Sequence, residues 1–211
     1  MKIPSPCLCL DGAVRGQLRV GLMVDGAWVA QSQSSADPAE AIQPCVENVL
    51  RQSGLPLSQV AAFAVNTGPG SILGIRATIL SARAWGEIKA KPVLTWSSHV
   101  VAAWMARGTC DAVVSEGRAG NLNVQKVNSQ GPVGDLYDSD SHALGNLQLR
   151  PILGGFRHPS DLPMGEAVDT WTCLPKIVSE QTILTTNERP DALNAATAYA
   201  TWSGQRHTGT P

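Results

Sequence analysis

Apolar positions fall into short runs for the first 65 residues and take on helical spacing in the segments between and after them. Residues 7–10, 18–24 and 28–31 are strand-length apolar runs. The last two are joined by Asp25-Gly26, a two-residue hairpin signal, so the chain opens with a meander. Asp37-Pro38-Ala39-Glu40 then reads as a helix start, with an N-cap aspartate, proline at the first helical position and an acid behind it. Ile42, Cys45, Val46, Val49 and Leu50 keep an i, i+3, i+4, i+7, i+8 stripe until Gly54 stops it, with Pro44 inside the helix as a kink.

Residues 60–84, VAAFAVNTGPGSILGIRATILSARA, organise the rest. A buried strand over 60–65 ends at Asn66 and Thr67. Gly68-Pro69-Gly70 makes a tight corner, and Ser71 stands where an N-cap belongs. Ile75, Thr78, Ile79 and Ala82 form one helical stripe, with Arg76 and Arg83 outside it. A helix N-terminus behind a glycine loop offers free N–H groups and a positive dipole end to an anion. The same glycines also suit a plain strand-to-helix corner, since G-x-G-x-x-x-G matches neither the dinucleotide fingerprint nor the lysine-bearing P-loop.

A strand at 93–95, a helix capped by Ser97 or Ser98 and running to 107, and strands at 110–115 and 122–127 follow. Strands, then strand–helix units, then strands again predict an α/β mixed sheet with helices on its faces. Residues 128–176 are rich in Gly, Pro, Ser and Asp and predict irregular strands and long loops. Residues 182–185 predict one more strand. Residues 189–202, with Ala192, Leu193, Ala196 and Tyr199 on a stripe, predict a helix before a polar tail at 203–211. The division expected is therefore 1–127 and a smaller, irregular C-terminal lobe at 128–211.

Residues 66–103, NTGPGSILGIRATILSARAWGEIKAKPVLTWSSHVVAA, resemble the TsaB (YeaZ) family, which reads roughly GPGSFTGLRIG followed by a small-residue helix, a proline and a Ser-Ser helix start. The match is close over 68–84 and recognisable over 7–127. Pro44 supports it, standing where the family has proline in a segment reading roughly HSERLLPLI, although that histidine is absent. The resemblance implies the actin-like ATPase (ribonuclease H-like) fold. It also implies a role as the non-catalytic scaffold and activator of a TsaD-like ligase in threonylcarbamoyl transfer to tRNA adenosine, with a TsaE-like ATPase as a further partner and a homodimer when isolated. In the family the first strand ends in Asp-Thr-Ser, a relic of a phosphate loop. Asp11, Gly12 and Ala13 stand there, so both hydroxyls are gone. At the family's Asp-Ala-Arg-Arg corner, Arg118 matches one arginine and Glu116 or Gly117 takes the acid's place. Ile72-Leu73 replaces the usual Phe-Thr.

Composition narrows the function classes. A net charge of −1 with 16% charged residues gives no basic face for nucleic acid. Five cysteines, an odd number without metal spacing, point to reduced thiols in a cytoplasmic protein. No apolar stretch is long enough to span a membrane or resembles a signal peptide. The four histidines, His99, His142, His158 and His207, lack zinc-protease spacing, and His99 reads as a helix-surface or partly buried residue. No G-x-S-x-G elbow exists and Ser71 has no base near it in sequence. Asp11 reads either as the holder of a metal-bound water or as the cap of a strand-end turn. Glu116 and Arg118 read as a turn ion pair.

Asp11, Gly68, Pro69, Gly70, Ser71 and Gly74 are the expected remains of a nucleotide or phosphate loop, with no metal, no catalytic residue and no ATP–Mg²⁺ binding by this chain alone. Ala39, Glu47 and Arg51 on the first helix, with Arg76, Leu80 and Arg83 on the second, are the expected partner or dimer face. The alternative is an independent small-molecule kinase or hydrolase of the same fold using Asp11 and the Gly68 loop.

Overall fold

A computed structural model of the chain describes residues 3–156, 161–186 and 190–191. The opening meander is β1 (Cys7–Asp11), β2 (Leu18–Val24) and β3 (Ala27–Ser34). Asp25 and Gly26 both take positive φ, 49° and 79°, as a tight hairpin turn requires. α1 (Pro38–Ser53) begins at the Asp37 carboxylate, which accepts from the Ala39 N–H, and ends on Gly54 in the left-handed conformation. β4 (Ala62–Asn66), α2 (Ile72–Lys89), β5 (Val93–Trp96) and α3 (Ser98–Ala106) complete two strand–helix units.

The strand order β10-β5-β4-β1-β2-β3 makes a six-stranded mixed sheet, β10 being Thr185–Thr186. Alternation along β1 sends Leu8 and Leu10 to the face covered by α1 and α2. Cys7 and Cys9 go to the opposite face, against α3 and α4 (Thr170–Glu180). All five cysteines are free, four of them buried.

The second sheet, ordered β8-β7-β6-β9, is built from β6 (Ala112–Glu116), β7 (Leu122–Asn128), β8 (Gly131–Ser139) and β9 (Leu149–Pro151). Ala102, Ala103 and Ala106 of α3 pack on it, so this one helix joins the two sheets. Residues 128–176, expected as irregular strands and long loops, supply the nine-residue strand β8, whose pairing with β7 shifts register between Val124 and Lys126, and the short β9, but also the start of α4, which was not expected. β7 pairs with β8 from Asn128 opposite Gly131 onward, so position 127/128, the expected division, lies inside one sheet.

α4 is fastened by specific contacts. Asp169 caps it, accepting from the Trp171 and Thr172 N–H groups, and pairs with Arg19 of β2 at 3.1 Å. Trp171 stacks on Trp28 at 4.5 Å and donates its indole N–H to Gln31. The helix expected over 189–202 and the tail after it lie outside the described residues, except for Pro190 and Asp191. No helix among the described residues is long and apolar enough to cross a membrane.

Candidate functional site

β1 and β4 run parallel and end side by side, which brings Asp11 and the Gly68 corner together. Asn66, fully buried, is the hub of this junction. Its amide nitrogen donates to Asp11 Oδ1 at 2.9 Å and to Ser98 Oγ at 2.7 Å, while its oxygen accepts from the Gly68 N–H at 2.9 Å and from Ser98 Oγ–H at 3.1 Å. Asn66 thus ties three chain segments at one point. Its position at a strand end was the only sign of this in the sequence.

Asp11 Oδ1 also accepts from the Ala13 N–H at 2.9 Å, the strand-end turn that was one of its two expected roles. Burial pushes its carboxyl above the ordinary carboxylate range, against the downward pull of the Ala13 N–H, the Arg19 charge and the Asn66 amide. Among the described residues, no three His, Cys, Asp or Glu side chains gather as a metal-binding group.

The loop after β1 and the start of α2 meet backbone to backbone. Ser71 donates its N–H to the Ala13 carbonyl at 2.7 Å, and Ser71 Oγ accepts from the Gly74 N–H. A side chain on Gly70 would overlap the Ala13 carbonyl, and one on Gly74 the Gly12 carbonyl. Glycine at 70 and 74 therefore permits a contact between two loops of the chain. The helix N-terminus that the sequence offers to an anion spends one N–H on Ala13 and another on its own cap.

Ser97, one of the two expected caps, is the N-cap residue of α3, but its hydroxyl makes no capping bond to the helix. Ser97 Oγ–H donates to the Gly68 carbonyl, and Ser98 turns to Asn66. Both hydroxyls are drawn to the corner because buried polar groups there have to be matched.

A cleft of about 290 Å³ opens beside this junction, between the two sheets. That is at the lower limit for small-molecule pockets, roughly 300–1,000 Å³. Asp11, Pro69, Gly70 and Ser71 line one wall, with Ser115, Glu116, Arg118 and Asn123 on the other. Behind the second wall lies His99, which is fully buried rather than at the helix surface. Its Nε2 sits 3.3 Å from both the Asn123 carbonyl and Ser115 Oγ. A proton on Nε2 serves the carbonyl, which can only accept, and leaves Nδ1 as a lone pair without a partner. With its proton placed there, Nε2 has no lone pair to receive the Ser115 proton, so the two do not form a base–nucleophile pair.

The six expected interface residues are all exposed. Ala39, Glu47 and Arg51 occupy a polar outer strip of α1, where Glu47 accepts from Gln43 and Arg51 donates to Asn48. Leu80 stands in different company: Leu73 and Ile88 of the same helix are exposed with it. Those two were missed because α2 carries a second apolar stripe, on the side opposite Ile75, Thr78, Ile79 and Ala82.

A family model described as TsaD, tRNA N6-adenosine threonylcarbamoyltransferase, matches residues 31–145, more than half of the 211-residue chain. That span continues past residue 127, where the resemblance in the sequence fades. Among solved structures, YeaZ from Pseudomonas aeruginosa is 17% identical with a TM-score of 0.61, over 90% of this chain and 99% of that one. A second Pseudomonas aeruginosa structure, of an uncharacterized protein with similarity to peptidase YEAZ, is 16% identical with a TM-score of 0.60, over 82% and 92%. At such identities the likeness is one of fold, here the actin-like ATPase fold. A comparison with curated proteins gave no match.

Proposed function

Since the chain belongs to the family described as TsaD, tRNA N6-adenosine threonylcarbamoyltransferase, a family of tRNA threonylcarbamoylation, we propose that it serves a TsaD-like ligase as a non-catalytic scaffold and activator. The observation that carries this reading is found on one helix: α2 has its N-terminus engaged by the Ala13 carbonyl and its outer face open and apolar. An N-terminus so engaged is poorly placed to hold a phosphate. An exposed apolar face, by contrast, is suited to burial against a partner.

The ligase docks on the outer faces of α1 and α2, using Ala39, Glu47, Arg51, Arg76, Leu80 and Arg83. In its absence the same faces pair two copies about a two-fold axis. A TsaE-like ATPase joins the assembly, the tRNA is held by the partners rather than by this near-neutral chain, and the work is done in the cytoplasm.

Titration of ATP and Mg²⁺ into the isolated chain tests the non-catalytic part. Neither micromolar binding nor turnover is expected. Micromolar binding together with turnover would replace this reading with a small-molecule kinase or hydrolase using Asp11 and the Gly68 loop.

A further inference from the structure

The cleft beside the Asp11 junction has an acceptor at its floor that the protein leaves unmatched. Asp11 is 3% exposed, and both bonds its carboxylate receives, from the Ala13 N–H and the Asn66 amide, go to Oδ1. Oδ2 receives no bond from the protein, and because Asp11 lines the cleft, this is the oxygen turned to it. A buried polar atom without a partner is costly. The same burial holds the Asp11 carboxyl above its ordinary range, and the Arg19 charge that pulls it down is offset by Asp169, with which Arg19 pairs at 3.1 Å.

The mouth of the cleft carries the opposite charge. Arg15 lines it, is exposed, and makes no ion pair among the described residues. On the far wall Glu116 and Arg118 are opposite in sign, and Asp138 Oδ2 already accepts from the Asn121 amide at 2.9 Å. Three carboxylates and two guanidiniums therefore line the cleft, a balance that repels a polyphosphate. A carboxylate at the floor and a cation at the mouth suit instead a molecule with one charge of each sign. Size sets the other limit: about 290 Å³ is the liquid volume of roughly ten water molecules, so the molecule has about ten non-hydrogen atoms or fewer.

We propose that the cleft binds a small zwitterion, an aliphatic primary amine that also carries a carboxylate, with its ammonium donating to Asp11 Oδ2 and its carboxylate held by Arg15. An ammonium at Oδ2 supplies the missing donor and offsets the burial of the carboxylate. No covalent step is involved. The site uses none of the residues assigned to the ligase-binding face, so it stands or falls apart from that reading.

Calorimetric titration of the full chain at pH 8 tests this with four molecules of one carbon-chain length: γ-aminobutyrate, α-aminobutyrate, butylamine and butyrate. At least one aminobutyrate is expected to bind with a Kd of about 1 mM or tighter, butylamine about five-fold more weakly for want of the exposed Arg15 contact, and butyrate not at all. The isomer that binds better reports how far Arg15 stands from Asp11 Oδ2. Arg15→Ala is expected to weaken the aminobutyrate about five-fold and to leave butylamine unchanged. Asp11→Asn keeps Oδ1 for Ala13 and Asn66 but puts an amide NH₂ in place of Oδ2, and is expected to weaken both amines at least ten-fold. Thermal unfolding checks that both variants fold, and the split between aminobutyrate and butylamine in Arg15→Ala decides the matter even if Asp11→Asn does not. No binding of either aminobutyrate at tens of millimolar overturns the proposal. So does tighter binding of butyrate than of the aminobutyrates, or an aminobutyrate affinity that Arg15→Ala leaves unchanged.

Discussion

Leu80→Glu is expected to convert the isolated chain from dimer to monomer and to weaken its binding to a TsaD-like ligase roughly thirty-fold or more. A buried apolar anchor at the centre of an interface contributes about 2 kcal/mol or more, and about 1.4 kcal/mol is tenfold in Kd. Glutamate adds to that loss by placing a charge where burial is required. The fold itself should tolerate the change, because Leu80 is 71% exposed and substitutions at such positions usually shift stability by no more than about 0.5 kcal/mol. Arg76 and Arg83 lie one helical turn to either side and suit the new carboxylate. Light scattering and calorimetric titration measure the two effects, and thermal unfolding serves as the control. A variant that still dimerises and still binds the ligase would show that the outer faces of α1 and α2 are not the interface.

Acidification from pH 7 to pH 4 is expected to cost the protein about 3 kcal/mol through His99 alone. Burial lowers its pKa from 6.5 to about 4, against the upward pull of its bond to the Asn123 carbonyl. Each pH unit between the unfolded and folded values is worth about 1.4 kcal/mol. With the folded value depressed, the unfolded chain binds the proton first, so the contribution is complete above 6.5 and is lost as pH falls towards 4. Asp11 acts in the opposite sense: its raised pKa makes the folded state the better proton acceptor, so its contribution grows as pH falls. Comparing the wild type with His99→Gln isolates the histidine. Chemical denaturation at pH 7, 6, 5 and 4 should show the variant less stable at pH 7 and flatter below it, with the two curves converging. Parallel curves would mean that His99 titrates normally and that its burial between α3 and the second sheet is misdescribed.

Elements with local signals were legible in the sequence. α1 has its cap, its first-turn proline and its terminal glycine in register with one apolar stripe, and the Asp25-Gly26 turn needed no distant information. The approach of Asp11 to the Gly68 loop was half legible: the glycines marked a close contact, but only the parallel pairing of β1 with β4 shows that Gly12 and Ala13 fill it. α4 was lost because Pro175 interrupts a stripe of Trp171, Leu174, Ile177 and Val178, and packing against the first sheet outweighs the missing backbone bond. β8 was lost to Gly131, Pro132 and Gly134, residues that read as a turn and become a strand through pairing with β7. His99 is buried by the second sheet, which its own helix does not announce. Leu73 and Ile88 were hidden by the inward stripe of α2, since a helix apolar on two sides gives one stripe to its own sheet and leaves the other for something else.

Formation of threonylcarbamoyladenosine in tRNA by the TsaD-like ligase of the same organism, measured with increasing amounts of this chain, tests the central claim most directly. The account predicts that product formation rises at least ten-fold, levels off at one chain per ligase, and is lost with Leu80→Glu. Ligase activity indifferent to the chain, or ATP turnover by the chain alone, would contradict it.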